Sequence, residues 1–288
     1  MSRFMEEIKA FIDGQTTGVI RLSQSYRGGE IETLEYTPAS ICQNVYSVAK
    51  TFTMTAIGLL HDRGLIRVDE KICDILRDEL PEEGMDERWR DSTVEMALTH
   101  RLGLPIGFLD IDVTKSSTFT DDFLHYLLTY PLVCAPGTEA RYSDGAFYLL
   151  ARVAEKKAGL GLDNFLWREL LKKLDFQEMA WSHCPRGHVI GATGLYIHAA
   201  DMVKLGLLYL DGGLYRGERL LSKEWVDLVI NRGFALNWDA QHCMLSKGGM
   251  YGQELIVVPE QGRVVALQSF KADSRAIANW VRDYGDRA

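Results

Sequence analysis

The feature that most limits the fold is where the strand-like segments fall: they lie at the two ends of the chain, not in its middle. Near the amino end, Thr17–Gln24 and Glu30–Tyr36 read as strands, and Ser25-Tyr26-Arg27-Gly28-Gly29 between them has the composition of a hairpin turn. Three more strand-like runs, Gln241–Leu245, Glu254–Val258 and Arg263–Ser269, close the chain. A helix is expected over Ser2–Asp13, where Phe4, Met5, Ile8, Phe11 and Ile12 recur at helical spacing, and another over Ser274–Tyr284. Between the ends the sequence predicts helices over Ser47–Arg63 (stopping at Gly64), Ser92–Leu98, Asp121–Leu128, Ala146–Lys157, Asp163–Leu174 and Ala200–Leu210.

Strands must pair to satisfy their backbone groups, and sequence-distant ends can supply one sheet. The expected class is therefore α+β: an antiparallel sheet built from both chain ends, flanked by helices, with a helical region inserted between them. The expectation is one domain over 1–288, its α/β part near 1–60 and 190–288 and its helical part near 65–190. A chain of 288 residues, 47 % of them hydrophobic, can bury a core without metal or disulfide staples.

Charge and cysteine usage narrow the partners. The net charge of -8 gives no electrostatic footprint for nucleic acid or an anionic membrane. Small-molecule or peptide partners fit better, and the oligomeric state is left open. Cys42, Cys73, Cys134, Cys184 and Cys243 are scattered, odd in number and form no Cys-x-x-Cys pair, which argues against a disulfide framework or a zinc site. The amino terminus turns acidic at once, unlike a signal peptide, and no apolar run is long enough to span a bilayer, so a cytoplasmic protein is expected. His183-Cys184-Pro185-Arg186-Gly187-His188 reads as a loop, not a metal site, and Asp78–Gly84 as a solvated acidic loop. No Gly-x-Ser-x-Gly elbow and no phosphate-binding glycine loop is present, and neither a metal nor a cofactor is expected.

The segment with most chemical content is Tyr46-Ser47-Val48-Ala49-Lys50. Residues three apart share a helix face, so Lys50 can lie beside the Ser47 hydroxyl. A serine hydroxyl needs a neighbour to take its proton, and a lysine can do so if its surroundings lower its pKa. A helix start also offers backbone N–H groups to a developing oxyanion. Ser-x-x-Lys alone is equally well a helix cap followed by a surface lysine.

Its company decides between those readings. Taken with Leu98-Thr99-His100-Arg101-Leu102-Gly103-Leu104-Pro105, Pro136-Gly137, Tyr142-Ser143-Asp144, Gly194-Leu195, Leu205–Tyr209 and Lys247-Gly248-Gly249, in that order, the chain resembles the β-lactamase-related serine hydrolases over about residues 15–270. That family includes class C β-lactamases, D-alanyl-D-alanine carboxypeptidases and related esterases and amide hydrolases, and the resemblance implies a β-lactamase/transpeptidase-like fold. It further implies Ser47 as an acylating nucleophile, Lys50 and Tyr142 as its activating pair, and an oxyanion hole from the backbone N–H of Ser47 and Met250. Asp144, Lys247, Gly248 and Gly249 would contact substrate, with Trp238 and Tyr251 flanking an acyl pocket. Ser143-Asp144-Gly145 also resembles the Ser-Asp-Asn triplet of class A enzymes, although the surrounding segments fit the class C pattern better.

Two positions depart from the pattern: Gly248 stands where a Thr or Ser is usual, and Asp144 where an Asn is usual. The first removes a hydroxyl that helps hold a substrate carboxylate, and the second turns an amide donor into an acceptor. Both favour an ester or small amide over a β-lactam or a D-alanyl-D-alanine peptide. A β-lactamase or carboxypeptidase, and a non-catalytic binding protein on the same fold, stand as the alternatives.

Overall fold

The computed structural model describes residues 1–15, 18–241 and 243–287, so Thr17, at the head of the first expected strand, and His242, inside the third, lie outside the described residues. The chain divides into two compact units. The first comprises Met1–Val48, Lys172–Ala180 and Leu195–Ala288, the second Ala49–Leu171 and Trp181–Gly194.

The first unit is built on a six-stranded sheet in the order Glu32–Glu35, Val19–Tyr26, Arg263–Ser269, Gln253–Val258, Met244–Gly249, Asn237–Asp239. Every neighbouring pair is antiparallel. The chain's first strand thus pairs with its last, Leu22 opposite Leu267. Leu255-Ile256-Val257-Val258 and Val264-Val265-Ala266-Leu267 are continuous apolar runs, not alternating ones, because both faces of the sheet are covered. On one face Ile256, Val258, Val265 and Leu267 pack with Phe4, Met5, Ile8 and Ile12 of helix Arg3–Gln15 and with Ile277 and Val281 of helix Ser274–Arg282. On the other lies helix Ala199–Leu210. A Cβ on Gly206 of that helix would meet a methyl of Val264 at 2.4 Å, so the glycine is what lets helix and sheet approach. Burying each Leu, Ile or Phe side chain here contributes about 1.5–3 kcal/mol.

The second unit centres on helix Ala49–Asp62, every residue of which is buried from Ala49 to Leu60. An apolar helix without a polar face belongs inside a helical assembly, and helix Asp144–Ala158 packs against it. The hydroxyls of Thr53 and Thr55 are satisfied by the carbonyls of Gly191 and Thr51. Shorter helices, Val94–Leu98 and Phe123–Thr129, begin at capping side chains of Thr93 and Asp122.

Several expectations need correction. Ser47 does not open an α-helix: Tyr46–Val48 is a 3-10 turn, and the α-helix starts at Ala49. The expected strand over Gln241–Leu245 is shifted to Met244–Gly249, which draws Lys247, Gly248 and Gly249 into the sheet. Polar and glycine residues hid that strand, because its register is set by Gln253–Val258 alongside and not by its own composition. Glu30–Tyr36 contracts to Glu32–Glu35. The expected helix Asp163–Leu174 runs as α only over Leu162–Leu166 and continues as a π turn over Trp167–Leu171. Strands Gln43–Asn44, Leu195–Ile197 and Asn237–Asp239, too short for a periodicity signal, were not expected. Neither was helix Lys223–Arg232, although Ser222 caps its start and Gly233, in the left-handed region, ends it.

Candidate active site

In the first unit, Ser47 sits in the 3-10 turn Tyr46–Val48, held by Val48 N–H donating to the Val45 carbonyl at 3.1 Å. Val45 is itself fixed by its N–H donating to the Leu195 carbonyl at 2.8 Å. The turn lies against the end of strand Met244–Gly249: a Cβ on Gly249 would fall 2.5 Å from the Val45 carbonyl oxygen and 3.3 Å from the Ser47 nitrogen. Only glycine permits that approach, so the Ser47 N–H is brought beside the strand that leads into Met250. Met250–Gly252 is a tight turn with Tyr251 at φ +61°. It is braced by the Ser269 hydroxyl and the Lys271 N–H, each donating to the Tyr251 carbonyl at 2.8 Å. The Tyr251 ring meets those of Tyr46 (5.3 Å, edge-on) and Phe270 (5.1 Å, stacked). Lys247, buried, and exposed Gly248 precede it on the strand.

Trp238 is not brought to this group. It pairs with Leu245, four residues down the strand from Gly249, or about 13 Å at the usual strand rise.

In the second unit, Lys50 follows Ser47 by three residues and is wholly buried. Its Nζ donates to Asp144 Oδ1 at 2.6 Å and to the Ala192 carbonyl at 3.0 Å, and lies 4.9 Å from the centre of the Tyr142 ring. Burial by itself pulls the ammonium's pKa down. The charge and hydrogen bonds of Asp144 and Tyr142 outweigh it, and the pKa is held above the ordinary lysine value. A lysine takes a serine proton only if its pKa is lowered, and the surroundings of Lys50 shift it the other way, toward the ammonium, which has no lone pair to offer.

Tyr142 is fixed through its backbone, its carbonyl accepting from Gly107 N–H at 2.9 Å. Its ring lies 4.3 Å from that of His100, whose Nδ1 accepts from the Ser143 N–H at 3.3 Å. Tyr142 is exposed, in contrast to the buried Lys50. Asp144 begins helix Asp144–Ala158, which aims its carboxylate at Lys50.

Two carboxylates beside this pair were missed by sequence reading. Asp110, Asp112 and Asp144 bring one oxygen each within 4.8 Å of one another. Burial and then the Asp144 charge push the Asp110 carboxyl up, and burial does the same to Asp112 against the pull of the Thr193 hydroxyl, 2.5 Å away. Both lie in a loop without periodicity, so no local signal marked them. A second group, Cys42, Glu178 and His198 in the first unit, also has ligand atoms within 4.8 Å of one another. There His198 Nε2 is 3.1 Å from Glu178, and burial followed by the Glu178 charge pushes the Cys42 thiol up to about 11, which keeps it protonated. The expected loop His183–His188 has its imidazoles against carboxylates: His183 at 3.3 Å from Asp163 and His188 at 2.9 Å from Glu155. A cavity of about 350 Å³ in the first unit is lined by Gly28, Leu207, Asp211, Tyr215 and neighbours, none of them a candidate site residue.

Among the described residues no helix is long and apolar enough to cross a membrane. A family model described as Beta-lactamase matches residues 27–283. Penicillin-binding protein 4 of Amycolatopsis lactamdurans is 25 % identical over 271 residues, covering 77 % of this chain and 70 % of the relative. An N-acetylmuramyl-L-alanine amidase of Bacillus subtilis is 24 % identical over 275 residues, covering 75 % of this chain and 62 % of the relative. The solved structure of a class C beta lactamase from Rhodobacter sphaeroides superposes with a TM-score of 0.70 at 16 % identity, over 99 % of each chain. The fold is thus the β-lactamase/transpeptidase-like one.

Proposed function

The chain belongs to the beta-lactamase family, and from that premise we propose that it is a serine hydrolase that cleaves an ester or amide bond through an acyl-enzyme on Ser47. The observation that carries the reading is the buried ammonium of Lys50, three residues after Ser47 and against the ring of Tyr142. A cation in that position favours the phenolate of Tyr142, which makes the tyrosine and not the lysine the base. Tyr142 takes the Ser47 proton as Oγ attacks the carbonyl carbon. The developing oxyanion accepts from the backbone N–H groups of Ser47 and Met250. Tyr142 returns the proton to the departing alcohol or amine, then activates the water that releases the acid and frees Ser47.

Asp144 holds Lys50 in place of the amide usual at that position, so its role is to keep the ammonium charged and oriented. Gly248 offers no hydroxyl to a substrate carboxylate, which favours small esters and amides over β-lactams and D-alanyl-D-alanine peptides. The five free cysteines suit a reducing, cytoplasmic setting.

The test is hydrolysis of p-nitrophenyl acetate and butyrate by wild type, Ser47→Ala and Tyr142→Phe. Turnover is expected in wild type and falls by about 100-fold or more in either variant. Equal rates in wild type and Ser47→Ala would overturn the nucleophile assignment. No turnover in any of the proteins would favour a binding protein on the same fold.

A further inference from the structure

Three chemically different donors meet on the small sheet of the first unit. Strands Gln43–Asn44 and Leu195–Ile197 pair antiparallel, with Gln43 opposite Ile197 and Asn44 opposite Tyr196. Carried one residue further, that register sets Cys42 opposite His198, and opposite residues of an antiparallel pair project to the same face. Leu195–Ile197 is the middle strand of three, and Glu178 lies just before Ala180, where the strand on its other side begins. A thiol, an imidazole and a carboxylate thus arrive from three neighbouring segments, with their ligand atoms within 4.8 Å of one another. His198 Nε2 is 3.1 Å from Glu178 Oε1, and the Cys42 thiol donates to the same carboxylate. No Cys-x-x-Cys spacing marks such a set, because each member belongs to a different segment.

A buried acid stands beside them. Asp201 is 2 % exposed. Its Oδ1 takes the Lys204 ammonium at 2.8 Å, while its Oδ2 has no hydrogen-bond partner among the described residues. The Asp201 charge acts on the Cys42 thiol, and the His198 charge acts on Asp201 in turn. A buried oxygen without a partner is costly, and here it adds negative potential next to the three donors. An ion can reach them from solvent, since Glu178 is exposed and Cys42 and His198 are half-buried. The other close group, Asp110, Asp112 and Asp144, differs in that a cation already sits against it: the Lys50 ammonium, 2.6 Å from Asp144.

We propose that Cys42, Glu178 and His198 bind a Zn²⁺ ion, with the fourth position left to water. Thiolate, imidazole and carboxylate are the donor types zinc takes, and three protein ligands with a water is its open form. On binding, the Cys42 S–H proton leaves to solvent as the sulfur–zinc bond forms. The neutral imidazole, which donates Nε2–H to Glu178 in the metal-free protein, takes its Nδ1–H tautomer and coordinates through Nε2. Glu178 exchanges the hydrogen bonds it accepts for a bond to the metal. Thiolate and carboxylate then balance the charge of the dication. The ion ties Cys42 to His198 beside a strand only two residues long, on the segment that leads into the Ser47 turn. The site stands independently of the acyl-enzyme reading of Ser47.

Metal-free protein titrated with Zn²⁺ is expected to bind a single ion per chain with micromolar or tighter affinity. Co²⁺ in its place gives a sulfur-to-cobalt charge-transfer band in the near ultraviolet, which Cys42→Ser abolishes. Cys42→Ser, Glu178→Gln and His198→Gln each weaken Zn²⁺ binding by about 100-fold or more, beyond the cost of losing an outer partner of a ligand. Near-ultraviolet circular dichroism of the metal-free variants checks that they are folded. Zn²⁺ also raises the melting temperature of wild type and leaves that of Cys42→Ser unchanged. One arm needs no variant: in wild type, Zn²⁺ slows alkylation of Cys42, read by mass spectrometry, without slowing that of Cys134 or Cys243.

Failure of wild type to bind at micromolar Zn²⁺, affinity that survives the folded variants, Co²⁺ absorption without the charge-transfer band, or alkylation of Cys42 that Zn²⁺ does not slow would each overturn the inference. Hydrolysis of the p-nitrophenyl esters is a separate readout, so its absence bears on the acyl-enzyme reading and not on the metal site.

Discussion

Lys50 shows how a fully buried cation is kept charged. Removing an ammonium from water costs several kcal/mol, and only a short ion pair with further hydrogen bonds offsets it. Here these are supplied by Asp144 at 2.6 Å, by the Ala192 carbonyl at 3.0 Å and by Tyr142. Taking away one partner of such a pair strands the other, so Asp144→Ala is expected to destabilise the protein by about 3–5 kcal/mol near neutral pH, measured by urea unfolding. The pH dependence follows from the sign of the shift. The folded-state pKa of Lys50 is raised above the ordinary 10.5, so the pair's contribution is complete below that value and is lost as pH rises through the folded-state pKa above it. The stability gap between wild type and Asp144→Ala should therefore narrow as pH rises through the alkaline range, because a deprotonated Lys50 no longer needs the carboxylate. A gap that widens as pH rises instead would contradict the assignment. At this scale the Ser47–Lys50 spacing was legible from sequence, while the direction of the Lys50 shift was not, because Asp144 and Ala192 reach it from 94 and 142 residues away.

At the scale of elements, two glycines in helices have opposite consequences. Gly14, in helix Arg3–Gln15, has nothing within 4 Å of where its Cβ would be. Gly14→Ala is expected to raise stability by about 0.5–1 kcal/mol through helix propensity and a less flexible unfolded chain. Gly206, in helix Ala199–Leu210, would place its Cβ 2.4 Å from Val264, 3.1 Å from Leu255 and 3.3 Å from Val257. There Gly206→Ala should lower stability by about 1–3 kcal/mol, since overpacking outweighs propensity. Thermal melts of the two variants check both signs, and stabilisation by both would refute the close helix–sheet contact. Sequence alone treats these glycines alike. The same division explains which elements were legible: Glu254–Val258 and Arg263–Ser269 carry dense apolar runs, whereas Met244–Gly249 contains Ser246, Lys247, Gly248 and Gly249 and exists because its neighbour pairs with it. The Ser47 turn was read as α-helix because nothing local distinguishes a 3-10 entry from a helical one.

At the scale of the whole molecule, the ends of the chain are interdependent. Strand Arg263–Ser269 lies between Val19–Tyr26 and Gln253–Val258, so it is interior to the sheet. A chain ending at Gly262 would split the sheet, taking from Val19–Tyr26 and from Gln253–Val258 the strand between them, and would uncover the apolar face under helix Arg3–Gln15. Such a chain is expected to lose the cooperative unfolding of the sheet unit, followed by near-ultraviolet circular dichroism; a transition matching that of the full chain would show that the amino-terminal strands find their order without the last one. Sequence by itself determined the α+β class, the supply of strands from both ends, the family motifs and the Ser47-x-x-Lys50 pair, since each depends on composition, spacing or order along the chain. Tertiary structure alone decided that Lys50 is held as an ammonium, that Gly249 lets the strand meet the Ser47 N–H, and that Cys42, Glu178 and His198 come together. Those properties arise between residues distant in sequence, where antiparallel register and burial, not local propensity, set which groups meet and which charge they carry.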